Sequence, residues 1–137
     1  MPEITVSTVV NAPIARAWEA FTQPEQITQW NFAAPEWCCP TARNDLRIGG
    51  EFSYRMEARD GSMGFDFMGV YTAVQPLEHI AYTLGDGRRA TVTFEAILSD
   101  QTKVTEVFDP EDVNSEELQR GGWSAILEQF KKQAETH

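Results

Sequence analysis

Near the C-terminal end, Trp123, Ile126, Leu127, Phe130 and Ala134 recur at helical spacing and make one apolar stripe. The spacing predicts a helix over 115–135, ~30 Å long at ~1.5 Å rise per residue. Asn114 with Glu117 three residues on resembles a capping box, with Asn in place of Ser or Thr. Lys131 and Lys132 fall in the last turns, where the helix dipole favours cations. Gly121-Gly122 interrupts the segment at ~1 kcal/mol per Gly relative to Ala, and such a pair predicts a close approach to another backbone or a bend. A helix with one greasy side needs a surface to cover it.

The preceding residues supply that surface. From Asp45 the pattern turns to short alternating stretches cut by turn signals. Leu46-Arg47-Ile48 precedes Gly49-Gly50, and Phe52, Tyr54 and Met56 then alternate with polar residues up to Asp60-Gly61, a strong hairpin signal. Phe65 to Val74 follows, with Gly69 inside it and Pro76 closing it. His79 to Leu84, Ala90 to Leu98 and Lys103 to Phe108 come next, separated by Gly85-Asp86-Gly87 and Ser99-Asp100. Sequential strands with short turns imply an antiparallel meander. At the other end, Ile4, Val6, Thr8 and Val10 alternate as a further strand. Asn11-Ala12-Pro13 stops it, with Asn placed to cap a helix and Pro suited to its first turn. Ile14, Ala17, Trp18 and Phe21 make the stripe of that helix, and Pro24 opens a second short one carrying Ile27 and Trp30. Residues 31–44 lack periodicity, hold two prolines and read as an aromatic loop with Phe32 and Trp37.

The order is one strand, two short helices, about six antiparallel strands and one long helix, an α+β arrangement in a single domain over 1–137. A strongly twisted sheet with one apolar face wraps round the terminal helix. Its concave side then holds a core and, where packing fails to close, a pocket.

Composition narrows the partners. Twenty-one acidic against eleven basic residues give a net charge of −10 and a pI near 4.5. Nucleic acids and anionic membrane surfaces, which are gripped through Lys and Arg, are not expected partners. No apolar run approaches the ~20 residues of a membrane span, and the opening Met-Pro-Glu-Ile-Thr-Val carries no signal pattern, so a cytoplasmic protein without membrane insertion is expected. Cys38 and Cys39 are sequence neighbours that pair poorly with each other and are expected as reduced thiols. With no second Cys pair and no His cluster, neither a metal nor another cofactor is expected. No G-x-S-x-G, H-E-x-x-H or Gly-rich phosphate loop appears, and no catalytic residue is assigned.

The pieces line up with a known family. Asn11-Ala12-Pro13 with Ala17-Trp18 and Phe21, then Trp30, Asp45-Leu46-Arg47-Ile48-Gly49-Gly50, Gly69-Val70-Tyr71 with Val74 and Pro76, and Gly122-Trp123 resemble the activator of heat-shock protein 90 ATPase homologue family. That family belongs to the START, polyketide-cyclase and birch-allergen-like superfamily. The resemblance covers nearly the whole chain and implies a helix-grip fold, a curved antiparallel sheet clasping the last helix over a hydrophobic cavity. What carries over by position is structural: Asp45, Arg47, Gly49 and Gly50 match a turn-shaping motif, and Gly122 and Trp123 match the helix start.

Three readings of function follow. The first is a small apolar or aromatic ligand held between sheet and helix. Its candidate residues are Trp30, Phe32 and Trp37 before the sheet; Phe52, Tyr54, Met56, Phe65 and Phe67 on the first hairpin; Tyr82, Phe94, Glu106 and Phe108 on later strands; and Trp123 and Leu127 on the helix. Glu106 shares a strand face with Val104 and Phe108; that face points either inward, where a carboxylate must be paired, protonated or functional, or outward to water. The second reading is a co-chaperone-like module with a chaperone as partner, although 137 residues leave no room for the extra N-terminal domain of the eukaryotic co-chaperone. The third is a cyclase- or hydrolase-like enzyme using Glu106 with a Tyr or His; Asp66 and His79 are the remaining proton-transfer candidates. Arg55, Arg88 and Arg89 either offer a cation to an acidic ligand or stay as solvated strand-face charges. Asp109, Glu111, Asp112, Glu116 and Glu117 read as a solvated loop and helix start, with a protein-binding role as the alternative. A monomer or weak dimer is expected.

Overall fold

The computed structural model describes residues 2–136; residues 1 and 137, the two ends of the expected domain, lie outside the described residues. β1 (Ile4–Val10) leads into α1 (Ile14–Thr22) and α2 (Pro24–Trp30). β2 (Trp37–Asn44), β3 (Glu51–Ala58), β4 (Gly64–Gln75), β5 (His79–Leu84), β6 (Arg89–Leu98) and β7 (Gln101–Phe108) follow, and α3 (Glu116–Glu135) ends the order. The strands form one seven-stranded antiparallel sheet in the order β1-β7-β6-β5-β4-β3-β2.

That order dictates the shape. β1 and β2 are consecutive in the chain yet lie at opposite edges of the sheet, joined by two short helices and a short loop. The sheet therefore curls until α1 and α2 can bridge its edges. α2 packs on β2, α3 packs on β1, and α3 touches both short helices, so the edges are covered and the open side is closed by helix. Register breaks at Cys38/Thr41, Tyr71/Ala73 and Ala96/Leu98 add the local twist that bending needs. This is the helix-grip arrangement.

Several local readings change. Residues 31–44 are not all loop: Trp37–Asn44 is the edge strand β2, because pairing with β3 outweighs Pro40, which falls at the register break where a ladder N–H is not required. Leu46–Ile48 is not a strand, since Arg47 N–H donates to the Asp45 carbonyl and Gly50 N–H to the Arg47 carbonyl, making a turn with Gly49 at φ 82°. α1 carries no side-chain cap; Asn11 instead donates its backbone N–H to Glu135, tying β1 to the end of α3. Ser115, not Asn114, caps α3, accepting from the Leu118 N–H at 3.1 Å, while Asn114 bonds the Glu111 carboxylate. Among the described residues Gly121 and Gly122 approach no other backbone: a Cβ added at either meets nothing within 4 Å. Gly69 does make the close approach, since a Cβ there would lie 2.7 Å from the Thr83 carbonyl oxygen and 2.9 Å from the Phe52 ring.

The interior divides in two. Beneath α1, α2 and the second half of α3, aromatic rings fill the space. Phe94 meets Trp18 and Phe21 at 5.1 and 5.5 Å between centroids, and Phe130 meets Phe21 and Trp30 at 5.2 and 5.3 Å. The Trp30 indole N–H donates to the Ala20 carbonyl at 2.8 Å. Toward β3–β5 and the first half of α3, the packing stops.

Candidate functional site

The space left there is a cavity of about 420 Å³. Strand alternation builds its walls: Phe52, Tyr54 and Met56 project from β3, Phe65, Phe67 and Tyr71 from β4, Ile80 and Tyr82 from β5, and Glu106 from β7. Gln119, Gly122, Trp123 and Ile126 face it from α3 at helical spacing, and Phe21, Trp30, Asn31, Ala33 and Trp37 close it from the α1–α2 side. Gly122 is part of the reason the space is open, since α3 offers no side chain at that position.

Of the candidate residues, Trp30, Trp37, Phe52, Tyr54, Met56, Phe65, Phe67, Tyr82, Glu106 and Trp123 border the cavity. Phe94, Phe108 and Leu127 do not: they are buried core, with Phe94 in the aromatic cluster and Phe108 stacked on Trp123. Phe32 lies apart, under the Arg59 guanidinium at 5.6 Å. Alternation gives the face a residue occupies but not whether the space in front of it is filled. Tyr71, Phe21, Ile80 and Ile126 belong to the wall by the same periodicity. The polar members Asn31, Arg88, Glu111 and Asn114 come from segments between helices and strands, where no periodic signal exists, while Gln119 continues the inward row of α3.

Polar side chains around the cavity are mostly occupied. Gln119 accepts from the Glu111 N–H at 2.8 Å and donates to the carbonyls of Glu111 and Asn114 at 3.2 and 2.8 Å. Glu111, expected in a solvated run, turns to the rim and takes the Asn114 N–H at 2.8 Å and side-chain amide at 2.6 Å. The Arg88 guanidinium is held by Asp86 at 2.7 Å. Arg55 pairs with Glu57 and Asp66, and Arg89 with Asp109, so neither serves the cavity. The Tyr71 hydroxyl donates to Asn44, whose amide donates to the Thr22 carbonyl at 2.7 Å.

Glu106 differs. It points inward, is 8% exposed, and has no hydrogen bond or ion pair among the described residues. Its neighbours across the sheet are Val6 on β1 and Val92 on β6, with Ile80 next in the row, so the carboxyl interrupts an aliphatic ladder. Burial pushes it up to about 8, which makes it a neutral acid at pH 7. Burial also raises the phenols of Tyr54 and Tyr82 well above their ordinary value, and Tyr71 to about 12. Asp66 and His79 are not gathered with Glu106: Asp66 is exposed beside Arg55, and the His79 ring lies 3.3 Å from the Thr93 hydroxyl. Cys38 and Cys39 are free, and burial raises the Cys39 thiol.

The model of the Activator of Hsp90 ATPase homolog 1-like protein family matches residues 11–135. The chain belongs to this family. The AHSA1-like protein of Aeromonas hydrophila is 35% identical, with a TM-score of 0.91 over 98% of this chain and 92% of that one. Chr148 of Cytophaga hutchinsonii is 46% identical, with a TM-score of 0.83 over the same shares, 98% and 92%. CV1439 of Chromobacterium violaceum is 26% identical at 0.81, covering 96% of each chain. No curated protein matches the chain. In this Activator of Hsp90 ATPase homolog 1-like chain, the Asp45–Gly50 positions shape the turn into β3, with the Arg47 Nε 2.9 and 3.0 Å from the Asp45 carboxylate, and Trp123 packs α3 on the sheet. Among the described residues no helix is long and apolar enough to cross a membrane.

Proposed function

We propose that this family member holds a small, largely aromatic or apolar molecule between its curved sheet and α3. The observation that carries the reading is the hollow of about 420 Å³ walled by aromatic rings, with Glu106 buried on its wall and unpaired among the described residues. Protein interiors pack as densely as organic crystals, so a recess of this size among core aromatics stands out. A space of this size lies in the range of small-molecule sites, and aromatic walls with a few polar groups support the reading.

Titration with phenylnaphthylamine, an apolar dye that brightens out of water, tests this directly, alongside native mass spectrometry of the freshly purified protein. Saturable dye binding with a stoichiometry of one, or a small molecule carried through purification, is the expected result. A protein that neither brightens the dye nor carries a ligand would end the reading.

A further inference from the structure

The cavity's polar chemistry narrows the occupant. Its walls carry aromatic rings from β3, β4, β5 and α3, and the faces of such rings attract cations. The groups around Glu106 are uncharged or acidic: Val6 and Val92 flank it, Tyr82 on β5 is a phenol, Gln119 and Trp123 face the cavity from α3, and Glu111 at the rim is a carboxylate. The one basic member of the wall among the described residues, Arg88, is held by Asp86. Among the described residues no group offsets a negative charge on Glu106, so its ionised form is left for a cationic occupant to pair.

We propose that the occupant is an organic cation, an aromatic or apolar body bearing a protonated amine, with its ammonium on the Glu106 carboxylate and its body among the rings. This deepens the ligand-binding reading and rests on it. A ligand anion would meet an acidic wall and a guanidinium already neutralised, and the overall charge of −10 favours approach of a cation. Docking the ammonium displaces the Glu106 proton to solvent, leaving a charge-assisted pair at the cavity wall.

Three probes sharing one body separate the possibilities: naphthylethylamine, naphthylethanol and naphthylacetate, titrated by fluorescence from about pH 7 to about pH 9. With Glu106 at about 8, the carboxylate fraction rises roughly tenfold over that range, so the amine should tighten about tenfold while the alcohol stays flat. At the upper pH the amine should bind at least tenfold tighter than the alcohol, and the acetate weakest. Glu106→Gln, which preserves the neutral shape and so the fold, should make amine and alcohol equal and abolish the pH trend. An alcohol or acetate binding as well as the amine overturns the cation proposal and leaves the cavity reading intact. Failure of all three probes and of phenylnaphthylamine overturns both.

Discussion

Phe108 and Trp123 lie face to face, their ring centroids 3.8 Å apart and their planes within 9°. Phe108 is the last residue of β7 and is 1% exposed; Trp123 is in the second turn of α3 and lines the cavity. The stack therefore fixes the helix to the sheet at the boundary between filled and hollow interior. Phe108→Ala should cost ~3–5 kcal/mol, as large core truncations do. Trp123→Phe, which keeps a ring over Phe108, should cost less than ~1.5 kcal/mol. Urea midpoints of the two variants check this, and equal losses would mean that the stack does not anchor α3.

Two residues before Phe108, Glu106 sets a pH dependence. In the unfolded chain its carboxyl ionises near its ordinary 4.5, and in the fold burial holds the proton up to about 8. Between those values the folded state binds more protons than the unfolded one, so stability falls as pH rises, at up to ~1.4 kcal/mol per pH unit. The stabilising protonated form is fully present below the unfolded value, and above about 8 the loss levels off. Asp86 and Glu135, both held below the usual carboxylate range by hydrogen bonds and nearby cations, act oppositely and lose their contribution in acid. Glu106→Gln should match the parent near pH 4 and exceed it by several kcal/mol near pH 8. A constant difference between the two across that range, read from urea midpoints, would place Glu106 in water.

Much of the architecture is legible in the chain because long periodic segments leave few alternatives. The stripe from Trp123 to Ala134 and the alternation through Phe52, Phe94 and Phe108 settle α3 and most strands. Trp37–Asn44 was not legible: its strand state comes from pairing with β3, which no local pattern around Pro40 announces. The cap at Ser115 and the bond from Asn114 to Glu111 are choices between adjacent polar residues that both suit a helix start, so residue type alone does not separate them. For the cavity, periodicity marks which rings point inward, yet Phe94 and Phe108 point inward into filled space while Phe52 and Tyr82 point into a hollow. That difference is made by what stands opposite, a tertiary fact. The inward turn of Glu106 was one of two registers until β1 and β6 aligned Val6 and Val92 with it.

Gly69 is irreplaceable for a steric reason. A Cβ there would sit 2.7 Å from the Thr83 carbonyl oxygen, which is backbone and cannot turn aside, and 2.9 Å from the Phe52 ring. Gly69→Ala should destabilise by ~1–3 kcal/mol and, by pushing Phe52 toward the cavity, weaken dye binding. Gly85→Ala is the comparison, because its nearest neighbour is Met68 Cγ at 4.0 Å, and it should stay within ~0.5 kcal/mol of the parent. Thermal melts of the pair decide it; a neutral Gly69→Ala would mean that β4 and β5 separate more readily than their register implies.

The adjacent helix glycines give a sharper test of where ligand sits. Among the described residues neither Gly121 nor Gly122 has a neighbour within 4 Å of an added Cβ, and neither needs a left-handed backbone, so Ala at either position restores helix propensity of ~0.8–1 kcal/mol. They face opposite ways in function: Gly121 is exposed, and Gly122 borders the cavity. Gly121→Ala should raise Tm by about 4 °C and leave phenylnaphthylamine affinity unchanged. Gly122→Leu should raise stability at least as much, because its side chain also buries apolar surface in the hollow, while lowering dye affinity more than tenfold. Stability and binding thus move in opposite directions at one residue and not at its neighbour. If Gly122→Leu is stabilised and still binds the dye as tightly as Gly121→Ala, the dye lies elsewhere on the protein.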